Sequence, residues 1–128
     1  MRLLIDTHAL LWWLAGDDQL SSAAREAIAD EANDVVVSAA SAWEITTKHC
    51  LGKLPGVGAI VADLDAAIAS QGFEGLPISV RHGQTAGALP GPLRDPFDRM
   101  LIAQAMLDDL VLVSNEAPFD AYGVRRLW

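Results

Sequence analysis

Apolar residues in this chain fall into short unbroken runs separated by longer stretches with helical spacing. Leu3-Leu4-Ile5 is a brief apolar run ended by Asp6, and Thr7 to Leu14 then changes to helix-forming residues, which reads as strand then helix. Ser21-Ser22 precedes Ala23, Ala24, Ala27 and Ile28 with Arg25 and Glu26 between them, the pattern of an N-capped amphipathic helix running to about Glu31. Asn33-Asp34 ends it. Val35-Val36-Val37 is β-branched and uninterrupted, as expected for a central parallel strand buried on both faces. Ser38 to Cys50 reads as a helix closed by Gly52, and Val57 to Ser70, with Ile60, Leu64 and Ile68 near helical spacing, as another that ends at Gly72. Leu76 to Val80 predicts a weak strand. Gly and Pro concentrate between Gly83 and Pro92, marking a loop or a short helix followed by a loop. Asp95 suits an N-cap and Pro96 the first helical position of a helix to about Leu107. Val111-Leu112-Val113 is a second fully apolar strand, and Gly123 to Trp128 has room for a short final one.

Strands separated by helices of this length imply right-handed βαβ units, hence an α/β fold: a mostly parallel sheet with helices on both faces. At 128 residues, 52% of them apolar and 20% charged, the chain fits one domain over residues 1–128 with enough material for a packed core. Disordered and collagen-like classes are excluded. The lone Cys50 makes neither an intramolecular disulfide nor a CxxC motif, so a reducing cytoplasm is the expected compartment. The longest apolar run near the N-terminus, Ala9 to Ala15, is well short of the roughly 20 residues that span a bilayer, and no membrane role is expected. A net charge of −8 repels polyanions on average. A carboxylate cluster built to hold divalent cations also reads as acidic, however, because formal charge counts the ligands and omits the metal.

The positions of the acids therefore matter more than their sum. In open α/β sheets the working crevice lies outside the carboxyl ends of the strands. Asp6 directly follows the first strand; Glu44 sits one to two turns into the helix after Val35-Val36-Val37; Glu116 lies three residues beyond Val113; Asp98 occupies the first turn of the helix that begins near Pro96. Carboxylates converging this way repel one another unless a cation is shared, and oxygen-only ligands favour Mg²⁺ or Mn²⁺. Each acid also has a bland reading. Asp6 can simply cap the next helix, Glu44 and Lys48 form an i,i+4 pair of the kind found on solvent faces, Asp95 and Asp98 complement a helix dipole, and Glu116 is a loop acid.

Other chemistries find less support. His8, His49 and His82 have no metal-ligand spacing and read as structural or surface residues. Ser38, Ser41 and Ser114 lack an adjacent histidine or a GxSxG elbow, and no phosphate-binding glycine loop is present. Trp12, Trp13 and Trp43 lie in apolar helical segments, which favours core or subunit contact over base stacking.

Four blocks carry a resemblance: Asp6-Thr7-His8-Ala9-Leu10-Leu11-Trp12-Trp13, Ser38-Ala39-Ala40-Ser41-Ala42-Trp43-Glu44-Ile45, Asp95-Pro96-Phe97-Asp98-Arg99-Met100-Leu101-Ile102-Ala103-Gln104-Ala105, and Tyr122-Gly123-Val124 with Leu127-Trp128. Together they resemble the PIN-domain family, and within it the VapC-type toxins of type II toxin–antitoxin pairs. The resemblance covers nearly the whole chain. It implies a PIN-like three-layer sandwich and a metal-dependent endoribonuclease toxin neutralised by a cognate antitoxin. It also implies an acidic Mg²⁺ or Mn²⁺ site at Asp6, Glu44, Asp98 and Glu116, with Asp95 an additional acid beside it. The family usually has Thr-x-Asp after the late strand, whereas Ser114-Asn115-Glu116 stands here; Glu116 keeps the charge and adds a methylene, and Ser114 keeps a hydroxyl that can orient a carboxylate. Histidines often found before the Arg-Asp-Pro segment are replaced by Gly91-Pro92-Leu93. Arg94 and Arg99 are candidate phosphate contacts, with surface salt bridging as their alternative.

Two other functions compete. A receiver-like phosphoacceptor module shares the length, the doubly wound sheet and the clustered acids, but resembles an acidic pair after the first strand and a late-strand Lys, which this chain lacks. A PIN-like RNA-binding or interaction module that has lost catalysis is the other alternative, kept open by Glu116. For partners, a mean hydropathy of +0.25 with Trp12 and Trp13 adjacent implies that one of them faces away from its helix's core stripe. A homodimer is expected to cover that face, with an antitoxin segment over the remaining apolar groove and its basic residues steered toward the acidic site.

Overall fold

The structure, a computed structural model, describes residues 1–128. Its sheet has five strands, all parallel: β1 (Arg2–Ile5), β2 (Asp34–Ser38), β3 (Glu74–Leu76), β4 (Val111–Val113) and β5 (Arg126–Leu127), in the order β3-β2-β1-β4-β5. Helices α1 (Thr7–Ala15) and α2 (Ser22–Ala29) join β1 to β2, and α3 (Ala39–Cys50), α4 (Gly58–Val61) and α5 (Leu64–Ser70) join β2 to β3. Helices α6 (Val80–Ala88) and α7 (Pro96–Asp108) cross from β3 to β4, and a 3₁₀ helix over Ala117–Tyr122 leads to β5.

Strand alternation divides the core in two. Leu3, Ile5, Val35, Val37, Val111 and Val113 point to the face covered by α1, α2, α3 and α5, where they meet Leu10, Ile28, Ile45 and Ile68. Leu4, Val36 and Leu112 point to the other face and meet Leu101, Ile102 and Ala105 of α7 and Phe119 of the 3₁₀ helix. This is why the runs Leu3-Leu4-Ile5, Val35-Val36-Val37 and Val111-Leu112-Val113 are apolar at every position. The order also decides between architectures, since a receiver-type sheet runs 2-1-3-4-5 whereas this one runs 3-2-1-4-5. The phosphoacceptor reading is thereby set aside.

Several elements depart from the sequence expectation for local reasons. The single helix expected over Val57 to Ser70 is two, because the Asp63 side chain accepts from the Ala66 N–H and starts α5 afresh. The strand expected over Leu76 to Val80 ends at Leu76. Ser79 instead caps α6, its hydroxyl accepting from the His82 N–H while His82 Nδ1 accepts from the Ser79 N–H, each at 3.0 Å. Helix α6 then occupies most of the Gly/Pro-bearing segment, and the loop follows it. The 3₁₀ helix was not foreseen. No helix is long and apolar enough to cross a membrane.

The expected uncovered tryptophan on α1 is a correction. Trp12 packs against Trp128 with ring centroids 5.8 Å apart, Trp13 packs against Phe73 at 6.1 Å, and the Trp13 indole N–H donates to Gln71. Both adjacent positions find cover within the chain because the C-terminal residues and the end of α5 flank α1 on either side. The exposed tryptophan is Trp43 of α3, at 64% of its surface, edge-on to Phe97 at 5.1 Å.

Candidate active site

The chain order reverses direction across the sheet between β1 and β4, and the crevice at such a switch point lies beyond the carboxyl ends of those two strands. Asp6 leaves β1 and Ser114 leaves β4 at this edge. Helix α3 starts at the same edge directly after β2. Helix α7 runs back toward the start of β4, so its N-terminus, with Asp95 and Asp98, stands at the same end.

Asp6 is 4% exposed and serves as N-cap of α1, its Oδ1 accepting from the Ala9 N–H at 2.8 Å. Capping therefore coexists with a place in the cluster. Burial pushes its carboxyl above the usual range, opposed by the Ser114 hydroxyl and the Ala9 N–H, and the Glu116 charge adds to the rise. Asp98 shows the crowding most clearly. Its pKa is pushed up to about 7, first by burial and then by the charges of Asp95, Glu44, Glu116 and Asp6. Every acid singled out from the sequence thus lies within electrostatic reach of Asp98. No three of them are drawn in to the spacing of a single ion's ligands.

Glu44 overturns its bland reading. The i,i+4 contact with Lys48 forms, but the Glu44 side chain is 5% exposed rather than on a solvent face. Thr7 donates its hydroxyl to Glu44 Oε1 at 2.6 Å and is bonded to the Ser41 hydroxyl at 3.0 Å, while the Lys48 ammonium donates to Oε2. Asp95 is the N-cap of α7, its Oδ1 accepting from the N–H groups of Phe97 and Asp98 and so fixing the turn that presents Asp98. Glu116 follows a turn in which its own N–H donates to the Ser114 hydroxyl at 3.0 Å.

The two arginines separate. Arg94 is exposed beside Asp95. Arg99 donates to the carbonyls of Ala86, Gly87, Leu89 and Leu93, tying the end of α6 and the following loop to α7. Its guanidinium is occupied by backbone, which corrects its reading as a phosphate contact. Thr7, Ser41 and Lys48 were missed as site residues. Their signals were adjacency to Asp6 and positions three before and four after Glu44 on one helix face.

Residues 3–124 match the family model described as the PIN domain. The chain belongs to the PIN-domain family. Among solved structures, this PIN domain is similar to VapBC2 of Rickettsia felis bound to a DNA fragment from its promoter, with a TM-score of 0.70, 15% identity, and 98% of this chain and 97% of that chain covered. It is also similar to VapC20 of Mycobacterium tuberculosis, a sarcin-ricin-loop-cleaving toxin, with a TM-score of 0.70, 17% identity, and 95% of each chain covered. FitAcB of Neisseria gonorrhoeae matches with a TM-score of 0.63, 18% identity, and 97% of this chain and 95% of that chain covered. At these identities the likeness is one of fold. Comparison with curated protein sequences finds no match.

Proposed function

We propose that this PIN domain is the endoribonuclease toxin of a type II toxin–antitoxin pair, hydrolysing RNA phosphodiester bonds at an acidic Mg²⁺ or Mn²⁺ site. The observation that carries the reading is the convergence of Asp6, Glu44, Asp95, Asp98 and Glu116 at the switch point, with the Asp98 carboxyl raised to about 7 first by burial and then by the charges of the other four. A donor set made only of oxygens, buried on one side and crowded with carboxylates whose charge Lys48 offsets only in part, fits a hard divalent cation.

Asp6, Glu44, Asp98 and Glu116 would hold the ion, with Asp95 and Ser114 in support. When bound, Mg²⁺ or Mn²⁺ supplies positive charge that polarises a phosphodiester and makes water a better nucleophile. The chain's own contribution is positional. Thr7 with Ser41 fixes Glu44, the Ala9 N–H fixes Asp6, and Asp95 shapes the first turn of α7 beneath Asp98. Arg94 is the remaining candidate for a substrate phosphate.

VapC20, similar in fold, is a toxin, and a toxin of this kind requires a neutralising partner in its own cell, which supports an antitoxin here. We assign it a basic segment, attracted by the charge of −8. A homodimer would cover the exposed Trp43 beside Phe97. The test is incubation of antitoxin-free protein with total RNA, with and without Mn²⁺, and mapping of the cut ends. Mn²⁺-dependent cleavage lost in Asp98→Asn is expected. Mn²⁺ binding without cleavage would favour the catalytically impaired alternative.

A further inference from the structure

Glu44 and Lys48 form an unusual helical ion pair, because the carboxylate is enclosed while the Lys48 side chain keeps 33% of its surface in water. An ordinary i,i+4 pair leaves both ends solvated and contributes little. Here the two oxygens of one buried carboxylate are divided between a neutral donor and a cation. Thr7 takes Oε1, and the Lys48 ammonium takes Oε2. Asp95 and Asp98, on a different helix, act on the same ammonium. Lys48 is thus the cation the chain itself inserts among the site's acids, and Arg99, on the same helix as those acids, is unavailable because carbonyls occupy its guanidinium.

Building on the metal-nuclease reading above, we propose that Lys48 has two stations: it holds Glu44 Oε2 in the metal-free site, and it turns to an RNA phosphate at the mouth when a divalent ion takes that oxygen. Two cations on one carboxylate oxygen repel each other, and the divalent charge has the stronger claim. The lysine stem is long and flexible, and a third of the side chain's surface meets water, so the ammonium can leave Oε2 without a backbone change. A polyanion approaching a site of net negative charge needs such a contact at its entrance.

Lys48→Met and Lys48→Arg in the full, antitoxin-free chain test this with two binding readouts. Calorimetric Mn²⁺ titration of Lys48→Met is expected to show affinity raised about three- to tenfold, since a competing cation is gone. Binding of a short single-stranded RNA of random sequence in Ca²⁺ is expected to weaken about tenfold and to lose about one unit of salt slope, with Lys48→Arg close to wild type. Lys48→Gln, which keeps a neutral donor for Glu44, is expected to show the same two shifts and replaces Lys48→Met if that variant folds poorly. Unchanged or weaker Mn²⁺ binding in the neutral variants overturns the proposal, as does unchanged RNA binding. Wild-type protein that binds no Mn²⁺ fails the metal-nuclease reading itself and takes this inference with it, whereas wild-type binding unaffected by the variants overturns this inference alone.

Discussion

The Thr7 hydroxyl donates to Glu44 Oε1 at 2.6 Å, linking the first residue of α1 to the second turn of α3 deep in the crevice. The carboxylate is almost fully buried, so this donor replaces water that burial removed. Thr7→Val keeps the shape and removes the donor. It is expected to destabilise the fold by about 1–2 kcal/mol in urea unfolding, the cost of leaving a buried acceptor short of a partner. Mn²⁺-dependent RNA cleavage should fall at least tenfold, because Glu44 is no longer held in one orientation, while Thr7→Ser stays near wild type. A Thr7→Val protein with wild-type cleavage would show that Glu44 needs no such anchor.

Asp98 sets a pH dependence for the metal-free protein. The folded chain keeps the Asp98 proton up to about 7, whereas the unfolded chain releases it near the ordinary value of 3.8. Between these values the folded state binds more protons, so this group's contribution makes stability fall as pH rises through the window, with the full penalty present above 7. Asp98→Asn removes the penalty. One pKa unit corresponds to about 1.4 kcal/mol, and water still reaches this half-buried group, so the expected gain at pH 8 is about 2 kcal/mol. The gain should vanish near pH 4. Urea unfolding at the two pH values without divalent ions checks this, and an equal effect at both would show that the carboxylate is not crowded.

The central strands were legible because Leu3-Leu4-Ile5, Val35-Val36-Val37 and Val111-Leu112-Val113 are buried on both faces, so their composition carries the signal without need of periodicity. Asp6 and Asp98 were legible from position, one after a strand and one in a first helical turn. What stayed hidden depends on partners distant in sequence. Whether Glu44 and Lys48 face water is decided by α7 and Thr7, and nothing within α3 records it. Arg99 looks like a phosphate ligand by residue type, yet its environment is set by carbonyls of a loop that precedes it. The strand ending at Leu76 failed for a nearer reason, since Ser79 and His82 form a capping box that local apolar character obscured.

The Arg99 clamp yields a stability prediction. Its planar fork bonds the carbonyls of Ala86, Leu89 and Leu93 at once, a geometry a point charge cannot reproduce. Arg99→Met is expected to lose about 2–3 kcal/mol of unfolding free energy, and Arg99→Lys to recover less than half of that loss. A phosphate contact would behave differently, with stability unchanged and Lys restoring RNA affinity. Wild-type stability in both variants would return Arg99 to the substrate.

Asp6 and Glu116 should differ in kind. Asp6 is buried, and a backbone N–H fixes one of its oxygens, so any ion it holds meets a ligand that cannot drift. Asp6→Asn keeps the cap, because an amide oxygen still accepts from Ala9, and it removes a charge that burial disfavours. The variant is therefore expected to fold at least as stably as wild type while losing Mn²⁺ binding and RNA cleavage. Glu116 carries one methylene more than the Asp usual in the family and sits where β4 gives way to the 3₁₀ helix, with its side chain uninvolved in capping. Its longer side chain has more rotamers to restrain before the carboxylate can act. Glu116→Gln is expected to reduce cleavage by about tenfold, against a loss of about a thousandfold or more in Asp6→Asn, with Mn²⁺ affinity following the same order. Equal losses in the two variants would make Glu116 a ligand of the same standing as Asp6. Undiminished cleavage in Asp6→Asn would remove the switch-point carboxylates from the reaction altogether.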